Sequence, residues 1–500
     1  MKKVLTTLLS AAFILSLTGA PLPPVRVEGG RLTAGGREIR LRGINWGWFH
    51  LAGTVYTRNE MQRQAQWGAN VLRLAFSYFD VFQSDGSWNE KGLSEIDEVI
   101  RWAEEAGQYV ILDLHLAPGG QNFMPNPDRH RNLLWTDRKF QDSFLRLWRE
   151  LAGRYRDNPV VAAYELMNEP MTNNRPELLY DLNRRAVAAI REVDPDKVIV
   201  LGGDGMSPAS SLVDGLKVED PGILYTFHFY EGAWLGNVTG ERRTGTAGWT
   251  RLELPVEIPD NCTSMNIMLR SEGNSGSAWF DDVTLADATG KILYSFSFEE
   301  GVKPFSMERE PHENGVFDPG EGHSGPGSLR IGGTVSYNSW RTPEYRLKPG
   351  KYRITAWMKL ENATGGSYLA CALFGSAKYT AQELDNLLKV PVAFQRKHQV
   401  PVWVGEFSVA RSNAPGSLQQ QAIADRIAAF ERNGFHWTYW NYRETTNPDT
   451  MALHAQKKDG GDYPINEPLL KALKEGWRRN SLPDESVRVG FPVHNTQMEK

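Results

Sequence analysis

Glu169 and Glu406 close two apolar, strand-like runs, Val160–Glu169 (VVAAYELMNE) and Pro401–Glu406 (PVWVGE). An ionisable carboxylate at the end of a buried strand is costly unless it is paired or does chemistry. Two such carboxylates on strands of one alternating strand–helix chain are how a barrel enzyme builds a carboxylate pair for glycosidic cleavage. In the retaining form of that chemistry one group protonates the leaving oxygen and the other attacks, the carboxyls lying about 5–5.5 Å apart. The competing reading is two carboxylates in surface ion pairs, which the apolar neighbours disfavour.

The elements that would position the pair can be read from periodicity. Strand runs are expected at Ile39–Trp46, Asn70–Phe76, Tyr109–His115, Val160–Glu169, Lys197–Leu201 and Leu224–Tyr230. Helical patterns separate several of them, at Gly92–Ala106, Asp137–Tyr155 and Pro176–Val193. The alternation breaks near Gly236 and resumes at Thr380, where Thr380 and Glu383 fit a capping box. Strands Val400–Phe407 and Phe435–Tyr442 follow, with helices Ser417–Asn433 and Pro468–Arg478. Six strands before the break and two after predict an α/β fold, an eight-stranded (β/α)8 TIM barrel. The intervening stretch is rich in Gly, Ser, Thr and alternating strands (Trp249–Ile258, Ser264–Leu269, Ser277–Leu285, Lys351–Leu360). It reads as an all-β jelly-roll sandwich in the β6–α6 loop, on the catalytic face. The expected division is 1–20 signal peptide, 21–236 and 377–480 barrel, 237–376 sandwich and 481–500 tail.

Composition bounds the partners. The 500 residues carry a formal charge of −4, which gives no case for nucleic acid or an anionic membrane. Lys2 and Lys3 precede an apolar run from Val4 to Leu17, then small residues to Ala20, as in a secretory signal cut near Ala20. The run is too short for a membrane anchor, so a secreted, soluble monomer is expected. Cys262 and Cys371 suggest no zinc site and leave a disulfide open.

The barrel segments resemble glycoside hydrolase family 5, in the cellulase-like clan of retaining barrel enzymes. The resemblance rests on LRGINW (Leu41–Trp46), VLRLAF, ILDLH, NEP, FHFY and GEF in that order. It implies Glu169 as acid/base and Glu406 as nucleophile. Arg73 is then the arginine that keeps the nucleophile ionised, and His115 the third-strand histidine near the scissile sugar. Asn168 would bond the 2-hydroxyl, His228 and Tyr230 form the sixth-strand pair, and Trp440 is the platform under the reacting sugar. Arg73 beside Glu406 would depress a carboxylate pKa, and a partly apolar setting would keep Glu169 protonated. Trp46, Trp48 and Trp135, on or near catalytic-face loops, either line sugar subsites or fill core. Asp204 and Glu444 read as solvated loop charges.

Within the break, AWFDDVTL (Ala278–Leu285), SFSFEEG (Ser295–Gly301), GHSGPGSLRI (Gly322–Ile331) and PGKYRITAWMKL (Pro349–Leu360) resemble carbohydrate-binding modules of the family 4, 9 and 22 type. The FDDV piece comes first here, as though the module were circularly permuted across Ala286–Leu293. That resemblance implies a structural Ca²⁺ near Glu299, Asp281 and Asp282, with Trp249, Tyr337 and Trp340 as candidates for sugar contact. No cofactor is needed for the chemistry. The expected function is a secreted retaining β-glycoside hydrolase, foremost an endo-β-1,4-glucanase acting on polysaccharide or oligosaccharide. A β-1,3- or mixed-linkage glucanase, a mannanase and an exo-acting glucosidase are the alternatives, the first prompted by HLAPGGQN (His115–Asn122). A carbohydrate-binding protein on a retired barrel is the reading from another class.

Overall fold

The computed structural model describes residues 21–47, 56–122, 132–230, 236–260, 262–307, 314–375, 379–409, 417–444, 451–455 and 464–481. The expected signal (1–20), Trp48 and nearly all of the expected tail lie outside these residues. Among the described residues, no helix is long and apolar enough to cross a membrane.

Eight parallel strands close into a barrel: β1 (Arg42–Trp46), β2 (Val71–Ser77), β3 (Tyr109–Leu116), β4 (Val161–Glu165), β5 (Val198–Gly202), β6 (Ile223–Phe229), β7 (Val402–Phe407) and β8 (His436–Tyr439). They pair in chain order, with β6 against β7 and β8 against β1 closing the ring. Helices Glu90–Ala106, Arg138–Tyr155, Pro176–Arg191, Ser417–Arg432 and Glu467–Trp477 surround it. Gly107 stops the first of these in the left-handed conformation, at φ +68°. The expected Thr380–Glu383 capping box is present. Two features depart from the sequence reading. Only short 3-10 turns (Ala209–Ser211 and Asp214–Leu216) follow β5. A three-stranded antiparallel ribbon, Val25–Glu28, Arg31–Ala34 and Arg37–Glu38, precedes β1.

The barrel interior changes polarity along its axis. Val25 and Leu32 of the ribbon join Val71, Ile111, Ala163, Leu224 and Trp403 in one buried apolar cluster. One step further along the same faces of β2, β3 and β4 come Arg73, Asp113 and Glu165, because side chains at i and i+2 share a face. All three are at most 1% exposed.

Between β6 and β7 the chain builds an antiparallel β body. Its longest strand, Gly350–Gly375, pairs in its first half with Arg243–Ile258 and Ser277–Asp287. Its second half pairs with Cys262–Asn274 and Gly236–Thr239. The alternating residues Leu252, Leu254, Val256 and Ile258 join Ile354, Ala356, Met358 and Leu360 of the neighbouring strand in a core separate from the barrel's. Strands Ile292–Phe296, Gly315–Asp318, Ser328–Gly332 and Val335–Arg341 add to the sheet. Cys262 and Cys371 are buried and unbridged.

Candidate active site

Arg73 is the hub. Its Nε and Nη2 donate side-on to Glu165 at 2.6 and 3.0 Å. Its Nη1 donates to Glu406 Oε1 at 2.6 Å and Asn45 Oδ1 at 2.9 Å, and its Nη2 to Asn168 Oδ1 at 2.9 Å. All five N–H donors are thereby used. Asp113 Oδ2 also lies 3.1 Å from Nη2, so one guanidinium serves three buried carboxylates.

Glu406 reaches this hub through an irregularity. The β7–β6 register runs Trp403↔Thr226, Val404↔Phe227, then Glu406↔His228, so Gly405 is a bulge. The bulge lets both Trp403 and Glu406 face the interior, which strict alternation forbids. A Cβ on Gly405 would come within 2.6 Å of Thr226 Oγ1. The Gly405 carbonyl accepts from Asn45 Nδ2 at 3.1 Å and Thr438 Oγ1 at 2.6 Å.

Glu169 does not end β4, as expected from the sequence. The strand stops at Glu165, and Glu169 lies four residues on with φ +45°. Its turn is held from neighbouring loops. Gln121 Nε2 donates to the carbonyls of His115 and Asn168 at 2.8 and 2.9 Å, and Asn122 Nδ2 to that of Glu169 at 3.0 Å. Asp204, expected to be a solvated charge, accepts from the Thr172 N–H and hydroxyl at 2.7 and 2.6 Å.

Between the two glutamates stands His228, whose Nδ1 is 2.9 Å from Glu169 Oε1 and 3.4 Å from Glu406 Oε2. One oxygen of each carboxylate and this nitrogen all lie within 4.8 Å of one another. Among the described residues, this is the one His/Cys/Asp/Glu group gathered tightly enough to hold a metal ion. The Tyr230 hydroxyl donates to Glu406 Oε2 at 2.5 Å. Burial alone would raise the pKa of Glu406, but His228, Arg73, His115 and the Tyr230 bond more than reverse this and hold it at about 2. Burial disfavours charge on His228 too, yet Glu406 and Glu169 raise its pKa above the usual value. Burial pushes the Tyr230 phenol well up, and Glu406 adds to the rise. The arrangement therefore offers an ionised carboxylate beside a second carboxyl, with one oxygen of each within 4.8 Å of the other.

His115 Nδ1 lies 2.7 Å from Asp113 Oδ2, and its Nε2 is 3.2 Å from Asn168 Nδ2. Its ring stacks on Trp440, with centroids 5.1 Å apart and planes at 10°. The structure thus gathers Arg73, His115, Asn168, Glu169, His228, Tyr230, Glu406 and Trp440 at one barrel mouth. The two other tryptophans stand back from it. Trp135 donates to the Gln121 carbonyl at 3.1 Å and so braces the loop under Asn168. Trp46 is 0% exposed, stacks on Tyr56 with centroids 4.4 Å apart, and donates to Gln64 Oε1 at 2.9 Å. It is core, not an open subsite. Trp46→Ala is expected to cost about 3–5 kcal/mol of stability and to leave KM for a glycan unchanged, as thermal melts beside KM would show.

The sequence reading did not single out Asn45, Asp113, Glu165, Gln121 or Asn122. A charge inside an apolar run (ILDLH, VVAAYE) was the available signal for Asp113 and Glu165.

In the β body, Asp281 accepts the backbone N–H groups of Asp282 and His323, each at 2.7 Å. Asp282 meets His323 Nδ1 at 2.6 Å and the Ser324 hydroxyl at 2.7 Å. The Glu299 carboxylate lies against Gly325, where a Cβ would come within 2.1 Å of it. The aspartate oxygens thus serve the His323–Ser324 turn. Trp340 is 4% exposed and packed in the body's core, while Trp249 is half-buried beside His323.

Comparison with known proteins gives the barrel its relatives. A Beta-xylosidase of Phanerodontia chrysosporium is 35% identical over 169 residues, covering 33% of this chain and 35% of its own. Endoglucanase C of Acetivibrio thermocellus is 32% identical over 183 residues, covering 35% of this chain and 51% of its own. The chain thus spans about half or less of the length of these curated relatives. The crystal structure of the Clostridial cellulose synthase subunit Z from Clostridioides difficile superposes with a TM-score of 0.50 at 15% identity, over 87% of this chain and 99% of that one, a likeness of fold. Residues 32–268, which carry Arg73, His115, Glu169 and His228, match the family model for cellulase (glycosyl hydrolase family 5).

Proposed function

We propose that this chain is a retaining β-glycoside hydrolase that cleaves a polysaccharide by double displacement. The observation that carries the reading is the approach of Glu169 and Glu406 oxygens to within 4.8 Å around His228, which is in keeping with the short carboxyl spacing of retaining chemistry. Glu406, held ionised, attacks the anomeric carbon while Glu169 gives its proton to the leaving oxygen. Water then enters, loses a proton to Glu169, and releases the sugar with its original configuration. Asn168, oriented by Arg73 and His115, is the donor available to the neighbouring sugar hydroxyl, and Trp440 supplies an apolar face.

The favoured substrate is a β-1,4-glucan cut internally, in keeping with the endoglucanase relative. A β-1,3-glucan is the second reading, motivated by HLAPGGQN, whose His115, Gln121 and Asn122 are built into the site. We read the chain as exported through its N-terminal signal. The β body is read as a permuted carbohydrate-binding module. Its Ser277–Asp287 and Ile292–Phe296 strands join through a turn at Asp287–Lys291, and its entry strand pairs with its exit strand.

The deciding experiment is product analysis on β-1,4-glucan, β-1,3-glucan, mixed-linkage glucan, mannan and xylan, with the anomer formed first read by NMR. Mixed oligosaccharides released initially as the β-anomer are expected from one glucan. Initial α-product would overturn retention. Binding without cleavage of any glycan would overturn the enzymatic reading in favour of a retired barrel.

A further inference from the structure

Glu165 touches neither of the two reacting carboxylates, yet it holds the group that connects them. Its two oxygens take Nε and Nη2 of Arg73 side-on, which fixes the plane of the guanidinium. The opposite edge of that plane then aims Nη1 at Glu406 and Nη2 at Asn168. A tilt of the plane about its long axis would move both contacts at once. Glu165 is 1% exposed and lies beneath the mouth, so it cannot meet substrate.

We propose that Glu165 is a positioning residue for the reaction, setting through Arg73 the placement of both Glu406 and Asn168. The inference rests on the hydrolase reading above. The charged groups facing Glu165 are Arg73 from β2, Asp113 from β3 and His228 from β6, while its β5 neighbour Val200 brings none. Burial raises the Glu165 carboxyl most, Arg73 draws it down and Asp113 raises it again, which together leave it at about 7. Its charge therefore changes near neutral pH. Once ionised, Glu165 adds negative charge beside the network and so helps the site keep its last proton.

The test compares wild type with Glu165→Gln in the full chain, on the glycan the wild type cleaves. Active sites are counted by a mechanism-based 2-deoxy-2-fluoro glycoside that labels the nucleophile. The amide keeps the volume but accepts only one of the two Arg73 bonds and never ionises. We expect kcat per titrated site to fall about 30-fold, with KM within about twofold. The alkaline limb of the kcat profile should move down by about half a pH unit. A lowered melting temperature with kcat per site and both limbs as in wild type would mean a merely structural residue and overturn the proposal. If the Gln variant does not fold, Glu165→Asp keeps the charge one methylene back. It is expected to lose kcat about tenfold with both limbs retained, and wild-type kcat per site in it would overturn the proposal. A wild type that cleaves no glycan would instead remove the function on which the inference stands.

Discussion

Glu406→Ala is expected to lower kcat/KM on a glycan by about five orders of magnitude, the scale on which a covalent nucleophile is lost. The fold should survive it. Arg73 keeps Glu165, Asp113, Asn45 and Asn168, and His228 keeps Glu169, so no buried charge is stranded. The truncated side chain leaves a small space on the face from which Glu406 attacks. Azide admitted there, with an activated aryl β-glycoside as substrate, should restore turnover and yield the α-glycosyl azide. The same anion added to Glu169→Ala should give the β-azide, because Glu406 still forms the intermediate. A β-azide from the Glu406 variant, or no recovery at all, would exchange or remove the roles assigned to the pair.

Arg73→Lys is expected to lose about a thousandfold in kcat/KM, because a point charge cannot hold Glu165, Glu406 and Asn168 in one plane. Arg73→Met removes the cation from among three buried carboxylates and should cost about 3–5 kcal/mol, read by urea unfolding at pH 7. The pH dependence has a definite sign. Glu406 has a depressed pKa, so its stabilisation is present above the unfolded value and is lost as pH falls toward about 2. Weakening Arg73 raises that pKa, and the acid limb of kcat/KM moves to higher pH. An acid limb unmoved in Arg73→Lys would show that His228 and His115 alone keep the nucleophile charged.

The eight strands and the mouth they build were legible in the sequence because each is marked where strand periodicity meets a polar residue. Arg73 in VLRLAF, His115 in ILDLH and His228 in FHFY are polar intrusions into apolar runs, and the closed barrel brings them to one end. What could not be read was partnership. Glu165 and Asp113 stand in similar runs, but their meaning comes from Arg73, 92 and 40 residues away in the chain. The bulge at Gly405 was hidden because a glycine before a glutamate looks the same whether the strand is regular or bulged. Trp46 illustrates the converse. Its position beside the mouth suggested sugar contact, and only packing on Tyr56 shows where the indole points. The Gly350–Gly375 strand was read short because its polar middle, near Asn362–Gly366, resembles a loop although the chain stays extended through it.

The interruption between β6 and β7 also bears on how the polypeptide finds its shape. Emerging from the ribosome, the first six strands can associate early, but Glu406 rides on β7 and arrives only after the β body has been made. Closing the ring across roughly 170 residues of loose chain would carry an entropy cost that grows with the logarithm of that length. The β body has its own apolar core and pairs Gly236–Thr239 with Ala370–Leu373, so once folded it pins the two ends of the interruption side by side. The slack left is only about 30 residues, which lowers the closure cost by roughly 1.5 kcal/mol. The body thus acts as an intramolecular tether for ring closure, and a partly synthesised chain lacks Glu406 until the last strands arrive.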